Sequence, residues 1–180
     1  PLTATTDEEK ISIAGHRLAE AEAGYDFTPR FDGRCSDFIP VDLNANLYLY
    51  EITMADFAVT LGNGENDLWL KRATERKKQI DDLLWNETHG MYLDYDMKNE
   101  KESEITSVAT FQPLWCGCAT TEQAKRVKEN LKLYEYAHGV VPCEAAQHEF
   151  TYQWDYPNTW PPHSLIVSEA LSKYNYEEDA

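Results

Sequence analysis

Residues 41–61 read Val-Asp-Leu-Asn-Ala-Asn-Leu-Tyr-Leu-Tyr-Glu-Ile-Thr-Met-Ala-Asp-Phe-Ala-Val-Thr-Leu, and this stretch decides the fold class. Leu43, Leu47, Tyr50, Met54 and Phe57 recur at the spacing of one helix face, with no proline or glycine between them. Gly62-Asn-Gly64 then supplies a left-handed stop. The spacing therefore predicts a long helix with that apolar stripe turned to a core. Outward from it, Thr6-Asp-Glu-Glu opens a second helical pattern that runs to about Ala23. Asn66 to Trp85 continues the period through Leu68, Ile80, Leu83 and Leu84, with the basic block Lys71 to Lys78 on its solvent side. Further helices are expected from Ser103 to about Ala119, from Thr121 to about Tyr134, and from about Pro161 onward. Residues 27–40 hold two prolines and Gly33 and read as a loop; Asn86 to Gly90 is a turn, and Met91 to Asp96 alternates like a short strand.

Helix, loop and helix thus alternate with little strand. Each unit is longer than the common solenoid repeats and no internal repeat is visible, so an all-α barrel or toroid of antiparallel helix pairs fits better than a solenoid. Such a toroid gathers its loops at one end, where they can build a site. The chain has 180 residues, a length suited to one domain. Its formal charge of -16 is repelled by phosphate backbones and anionic membrane surfaces, so neither nucleic acid nor a membrane is an expected partner. No apolar run approaches the ~20 residues of a membrane helix. No signal peptide is visible at Pro1-Leu-Thr-Ala-Thr-Thr6, and the expected compartment is the cytoplasm. The lack of an initiator Met points to a processed chain or a piece of a longer one. Cys35, Cys116, Cys118 and Cys143 fit neither a disulfide framework nor a zinc spacing; they read as buried thiols, and no metal or cofactor is expected.

The unusual residues collect in loops. Ala23-Gly-Tyr-Asp-Phe-Thr-Pro-Arg-Phe31 sets a carboxylate and an arginine among aromatics, and Gln153-Trp-Asp-Tyr-Pro-Asn-Thr-Trp160 adds an amide, a second carboxylate and two tryptophans. Such mixtures suit a small carbohydrate: pyranose C–H faces stack on rings while hydroxyls take Asp, Asn, Gln or Arg partners. Carboxylates buried beside aromatics carry a desolvation cost, which marks Asp26 and Asp155 as functional candidates.

Together with Ile39-Pro-Val-Asp-Leu-Asn44 and Leu84-Trp-Asn-Glu-Thr-His-Gly-Met-Tyr-Leu-Asp-Tyr-Asp96, these runs resemble the trehalases of glycoside hydrolase family 37, in the same order over nearly the whole chain. The Gln-Trp-Asp-x-Pro-x-x-Trp element is the most specific of them; the Gly-Tyr-Asp and Pro-Val-Asp-Leu-Asn elements recur more loosely in related α-toroid glucosidases. The resemblance implies an (α/α)6 barrel, with residues 1–180 forming part of one catalytic domain, and inverting hydrolysis of the α-glucosidic bond of trehalose to give glucose. It casts Asp26 as general acid, a role for which a carboxyl desolvated between Tyr25 and Phe27 holds its proton ready for the leaving oxygen. It casts Arg30 as a substrate-pocket arginine, with an ion pair to a nearby Asp as the alternative. Gln153, Trp154 and Asp155 then line the glucose subsite with Trp160 as a second wall. Asn44 and Asp42 either join the pocket or cap the helix that begins beside them.

The family's general base, a Glu in a Glu-Lys-Tyr motif beyond the Gln-Trp-Asp element, has no counterpart here: Lys173-Tyr174 is preceded by Ser172. An inverting mechanism needs two carboxyl groups about 6.5–9.5 Å apart. The second is therefore expected outside these residues, and the remainder of the barrel is the expected partner, as another segment or chain. Two other functions remain in view. One is an α-glucosidase of the family 63 type; the other is a helical carbohydrate-binding subunit without catalysis.

Overall fold

Thr6 Oγ1 accepts the Glu9 amide while the Glu9 carboxylate accepts the Thr6 amide, and this reciprocal cap starts helix α1 (Asp7–Glu22) where the sequence predicts. The computed structural model describes residues 6–146 and 152–180. After α1 come two short 3₁₀ turns, then strand β1 (Phe38–Ile39), then the long helix α2 (Val41–Leu61), which ends on Gly62 at φ 63°. Helix α3 (Asn66–Leu83) folds back on it, held by a two-pronged pair in which Arg76 donates to Glu51 over 2.9 and 2.8 Å.

The stripe predicted to face the core does not do so. Tyr50, Phe57 and Leu61 are 63%, 55% and 75% exposed, and Leu43 and Met54 are exposed beside them. The buried side of α2 is instead Val41, Ala45, Ala55 and Ala58. Both sides of the helix carry an apolar period, but large residues dominate any hydrophobicity pattern, whereas alanines are what let neighbouring helices approach closely. Leu68 and Leu83 are likewise exposed, whereas Ile80 and Leu84 of the same predicted pattern are buried, with Ala73 beside them.

Strands β2 (Trp85–Asn86) and β3 (Met91–Tyr92) pair across the predicted turn. The strand expected over 91–96 is interrupted after Tyr92: the Leu93 amide bonds back to Leu84 O, and Asp94 turns inward before β4 (Tyr95–Asp96) resumes. β4 lies between β1 and β5 (Lys101–Glu102), all antiparallel.

The helix expected from Ser103 is largely absent. Val108 N bonds Pro142 O and Glu144 N bonds Thr106 O, so residues 106–108 run extended against 142–144, and only a 3₁₀ turn and helix α4 (Gln112–Cys116) follow. Helix α5 (Thr121–Glu129) stops short of Tyr134 and passes into a 3₁₀ turn over Leu131–Leu133, with the Asn130 side chain donating to His89 O and Gly90 O at the junction. A hairpin of β6 (Glu135–Tyr136) and β7 (Gly139–Val140), unforeseen in the sequence, precedes the final helix α6 (Pro161–Lys173). The loop expected ahead of Gln153 falls partly on residues 147–151, outside the described residues.

The main core joins Val41 of α2, Ile80 and Leu84, Phe111 and Leu114, Val127 of α5, Tyr134 and Leu171 of α6; Phe31, Cys35 and Phe38 form a smaller cluster. All four cysteines are free and buried, and burial pushes the Cys116 and Cys118 thiols up to about 12. Among the described residues no His/Cys/Asp/Glu cluster could hold a metal, and no helix is long and apolar enough to cross a membrane.

Leu114, fully buried, and Phe57, on the exposed stripe, separate the two sides experimentally. In urea denaturation of the 180-residue chain, Leu114→Ala should cost about 2–5 kcal/mol and Phe57→Ala no more than about 1 kcal/mol. Equal losses would put the stripe back in the core.

Candidate active site

The loop after α1 is built around backbone that side chains normally avoid. Gly24 has φ 75° and Phe27 φ 61°, so Asp26 lies between two left-handed residues, one two positions before it and one directly after it. For phenylalanine this costs roughly 1–2 kcal/mol and persists only where the surroundings impose it. Part of the constraint comes from Glu20 of α1, which is buried and accepts the Thr28 amide at 3.0 Å. Thr28 in turn caps the short turn Pro29–Phe31, and Arg30 is carried into the interior.

Arg30 is 1% exposed. Its Nε and Nη2 donate to the two carboxylate oxygens of Asp94 at 3.0 and 2.8 Å, and Nη2 also donates to Asp42 at 2.8 Å. Asp94 Oδ1 accepts the Val41 amide as well, at 2.9 Å, so one carboxylate holds the arginine and the start of α2 together. Burial works against the arginine's charge, but Asp42 and Asp94 outweigh it and hold Arg30 well above its ordinary pKa. The guanidinium also lies over the rings of Tyr25, at 4.5 Å, and Phe31, at 4.8 Å. Burial, followed by the charge on Asp42, raises the Tyr25 phenol far above its usual range.

The second loop closes over this one. The Trp154 amide donates to Phe27 O at 3.0 Å, and the Trp154 ring lies 5.6 Å from that of Tyr25. Trp160 stacks on Trp154 at 4.5 Å, and its Nε1 donates to Gln153 O at 3.3 Å. Cys143 sits between the loops, its Sγ 3.9 Å from Thr28 Oγ1 and 3.8 Å from Trp154 O. Asp155 is buried, and one of its oxygens accepts the Tyr156 amide at 2.8 Å.

Asp26, Arg30, Trp154, Asp155 and Trp160 are therefore brought into one neighbourhood. Asp26 is half-buried: Tyr25 is covered, but Phe27 is 59% exposed and shields one side poorly. The Gln153 side chain is exposed. Asn44 lies in the first turn of α2, where its Nδ2 donates to Pro40 O and its Oδ1 accepts from Arg76. Neither Asn44 nor Asp42 is the helix cap, since the N-cap residue is Pro40.

Sequence reasoning passed over Asp94 and His163. Asp94 lies within a strand-like alternation that gives it no role, and His163 opens a helix where a lone histidine after two prolines carries no site signal of its own. His163, 5% exposed, stacks on Tyr25 at 5.1 Å with the rings 20° apart and meets Trp154 edge-on at 5.2 Å.

The sequence model of the trehalase family matches residues 6–180. The chain belongs to the trehalase family. It is 38% identical over 181 residues to the cytosolic neutral trehalase of Kluyveromyces lactis, an alignment covering 90% of this chain and 24% of that protein. It is 33% identical over 179 residues to the cytosolic neutral trehalase of Saccharomyces cerevisiae, covering 89% and 24%. The chain thus spans about a quarter of the length of these relatives. The solved neutral trehalase of S. cerevisiae superposes with TM-score 0.88 at 30% identity, over 96% of this chain and 34% of that one. A family 63 mannosylglycerate hydrolase from Thermus thermophilus matches in fold alone, with TM-score 0.67 at 18% identity over 79% of this chain and 36% of that one. The expected helical toroid fold, here as part of a barrel, is the fold of this family chain.

Its buried imidazole gives a direct test of the site's packing. Burial, with Arg30 adding to it, lowers His163 from 6.5 to about 4. Between those two values the unfolded chain takes up a proton that the folded chain refuses, so stability falls as pH drops from 6.5 toward 4 and this contribution then levels off. In urea titrations, about 2 kcal/mol of the loss between about pH 6.5 and 4.5 should disappear in His163→Phe. An unchanged slope would mean that the ring is solvated.

Proposed function

We propose that the protein carrying this chain is an inverting glycosidase that hydrolyses trehalose to glucose, with Asp26 as the general acid. The observation that carries the reading is that both neighbours of Asp26 are braced by the tryptophan loop: Tyr25 through its ring contact with Trp154, and Phe27 through its carbonyl, which accepts the Trp154 amide. A proton donor has to be placed to within a fraction of an ångström, and a left-handed backbone fixed from both sides is a means to that end. Membership of the trehalase family and the likeness to neutral trehalases support the substrate.

In this reading a glucose ring packs against the Trp154–Trp160 pair, and Gln153 and Asp155 belong to its polar surround, while Asn44, bonded to Pro40 O and Arg76, supports the start of α2 instead. Arg30 acts chiefly as the anchor of the Asp26 loop. Asp26 protonates the oxygen between the sugars as the bond breaks, while a water on the opposite face attacks the anomeric carbon and loses its proton to a base carboxylate. That base lies outside these 180 residues, which form part of one (α/α)6 catalytic domain. The exposed stripe on α2 then marks where the remainder of the barrel packs. Two carboxyl groups suffice for the chemistry, and no metal takes part. Similarity to cytosolic enzymes supports a cytosolic setting.

Asp26→Asn in the intact protein removes the proton and keeps the shape. Turnover of trehalose should fall by at least about 10²-fold with KM changed far less. α-Glucosyl fluoride, whose leaving group needs little protonation, should suffer less. Equal losses on both substrates with a lowered melting temperature would remove Asp26 from the role.

A further inference from the structure

Among the described residues, His163 is a buried titratable group for which the reaction above has no use. It lies in the first turn of α6, and its amide donates to Trp160 O at 3.1 Å. Arg30 and Asp42 are the charged groups that act on it through space; its Nδ1 is buried without a hydrogen-bond partner, and its ring is enclosed by Tyr25 and Trp154. A histidine packed only for volume would be replaced without loss by an aliphatic residue. This one is the shared surface of two rings that themselves hold the backbone on either side of Asp26, Tyr25 preceding it directly and Trp154 bonding to Phe27 O.

We propose that His163 is a positioning residue for Asp26: its planar ring sets the spacing of Tyr25 and Trp154, and through them ties the acid-bearing loop to helix α6. The proposal rests on the reading of Asp26 as general acid. The chain of contact is short. If the ring is lost, Tyr25 and Trp154 close on the space, the turn at Phe27 relaxes, and the Asp26 carboxyl moves off the leaving oxygen. Displacements of that kind, about 1 Å, cost up to ~10²-fold in rate without touching substrate. The proposal assigns the work to the ring: buried Nδ1 makes no hydrogen bond, so phenylalanine should keep the stack and relieve that unpaired polar atom.

The test compares His163→Leu and His163→Phe in the intact enzyme, with rates expressed per folded molecule. His163→Leu fills the space without a planar ring and should lower kcat on trehalose by about ten-fold or more, with KM nearly unchanged. It should lose less on α-glucosyl fluoride, while His163→Phe restores kcat to near the wild-type value. Should His163→Leu fail to fold, the Phe variant decides: wild-type turnover supports the proposal, and a loss there assigns the role to the nitrogens and overturns it. Unchanged kcat in His163→Leu, or equal losses on both substrates, would also overturn it. Asp26→Asn run alongside separates the two failures. If that variant keeps full activity, the general-acid reading fails; if it is inactive while His163→Leu is normal, only the positioning role fails.

Discussion

A buried arginine between two carboxylates is the constraint on which the rest of this structure depends. Arg30 leaves the loop after α1, reaches Asp94 and Asp42, and through Asp94 touches the first amide of α2. Segments far apart in sequence, 24–31, the start of α2 and the β-hairpin region around 94, are thereby locked to one another. Such a cluster adds little net stability over well-packed apolar residues, because desolvation offsets most of the attraction. Its value is positional: a guanidinium fork accepts two carboxylates in few geometries, and breaking it strands a buried charge.

That locked frame explains the shape of the candidate site. Glu20 and Thr28 hold the loop from the α1 side, Arg30 from below, and Trp154 with Cys143 from the second loop. Asp26 is left half-exposed at the point where these restraints meet. A site that must donate one proton to one oxygen gains from rigidity more than from contact area, and the aromatic layer of Tyr25, Trp154, Trp160 and His163 supplies it.

Much of this was legible in the sequence where the signal is local. The cap at Thr6, the course of α2 to Gly62 and the start of α6 after Trp160 all follow from capping chemistry and helical period. The motifs around Asp26 and Trp154 identified the family and named the loops that meet. What failed was non-local. Which side of α2 is buried depends on neighbours that a single helix cannot reveal, so the large stripe of Tyr50 and Phe57 was assigned to a core that the alanines occupy. The helix expected from Ser103 lost to pairing with residues 142–144, about forty positions away. Asp94 looked like one step in a strand alternation, and only the fold shows that it turns out of the strand toward Arg30.

The most direct test of this frame is turnover and melting of Asp94→Asn in the intact protein. Both Asp94 oxygens are engaged by Arg30 and the carboxylate is 2% exposed, so any effect on the reaction passes through the loop it anchors. Loss of the charge should lower stability by about 3 kcal/mol or more, and kcat on trehalose should fall per folded molecule while KM stays close to its original value. Wild-type turnover with an unchanged melting temperature would contradict the claim that the Arg30 cluster places Asp26.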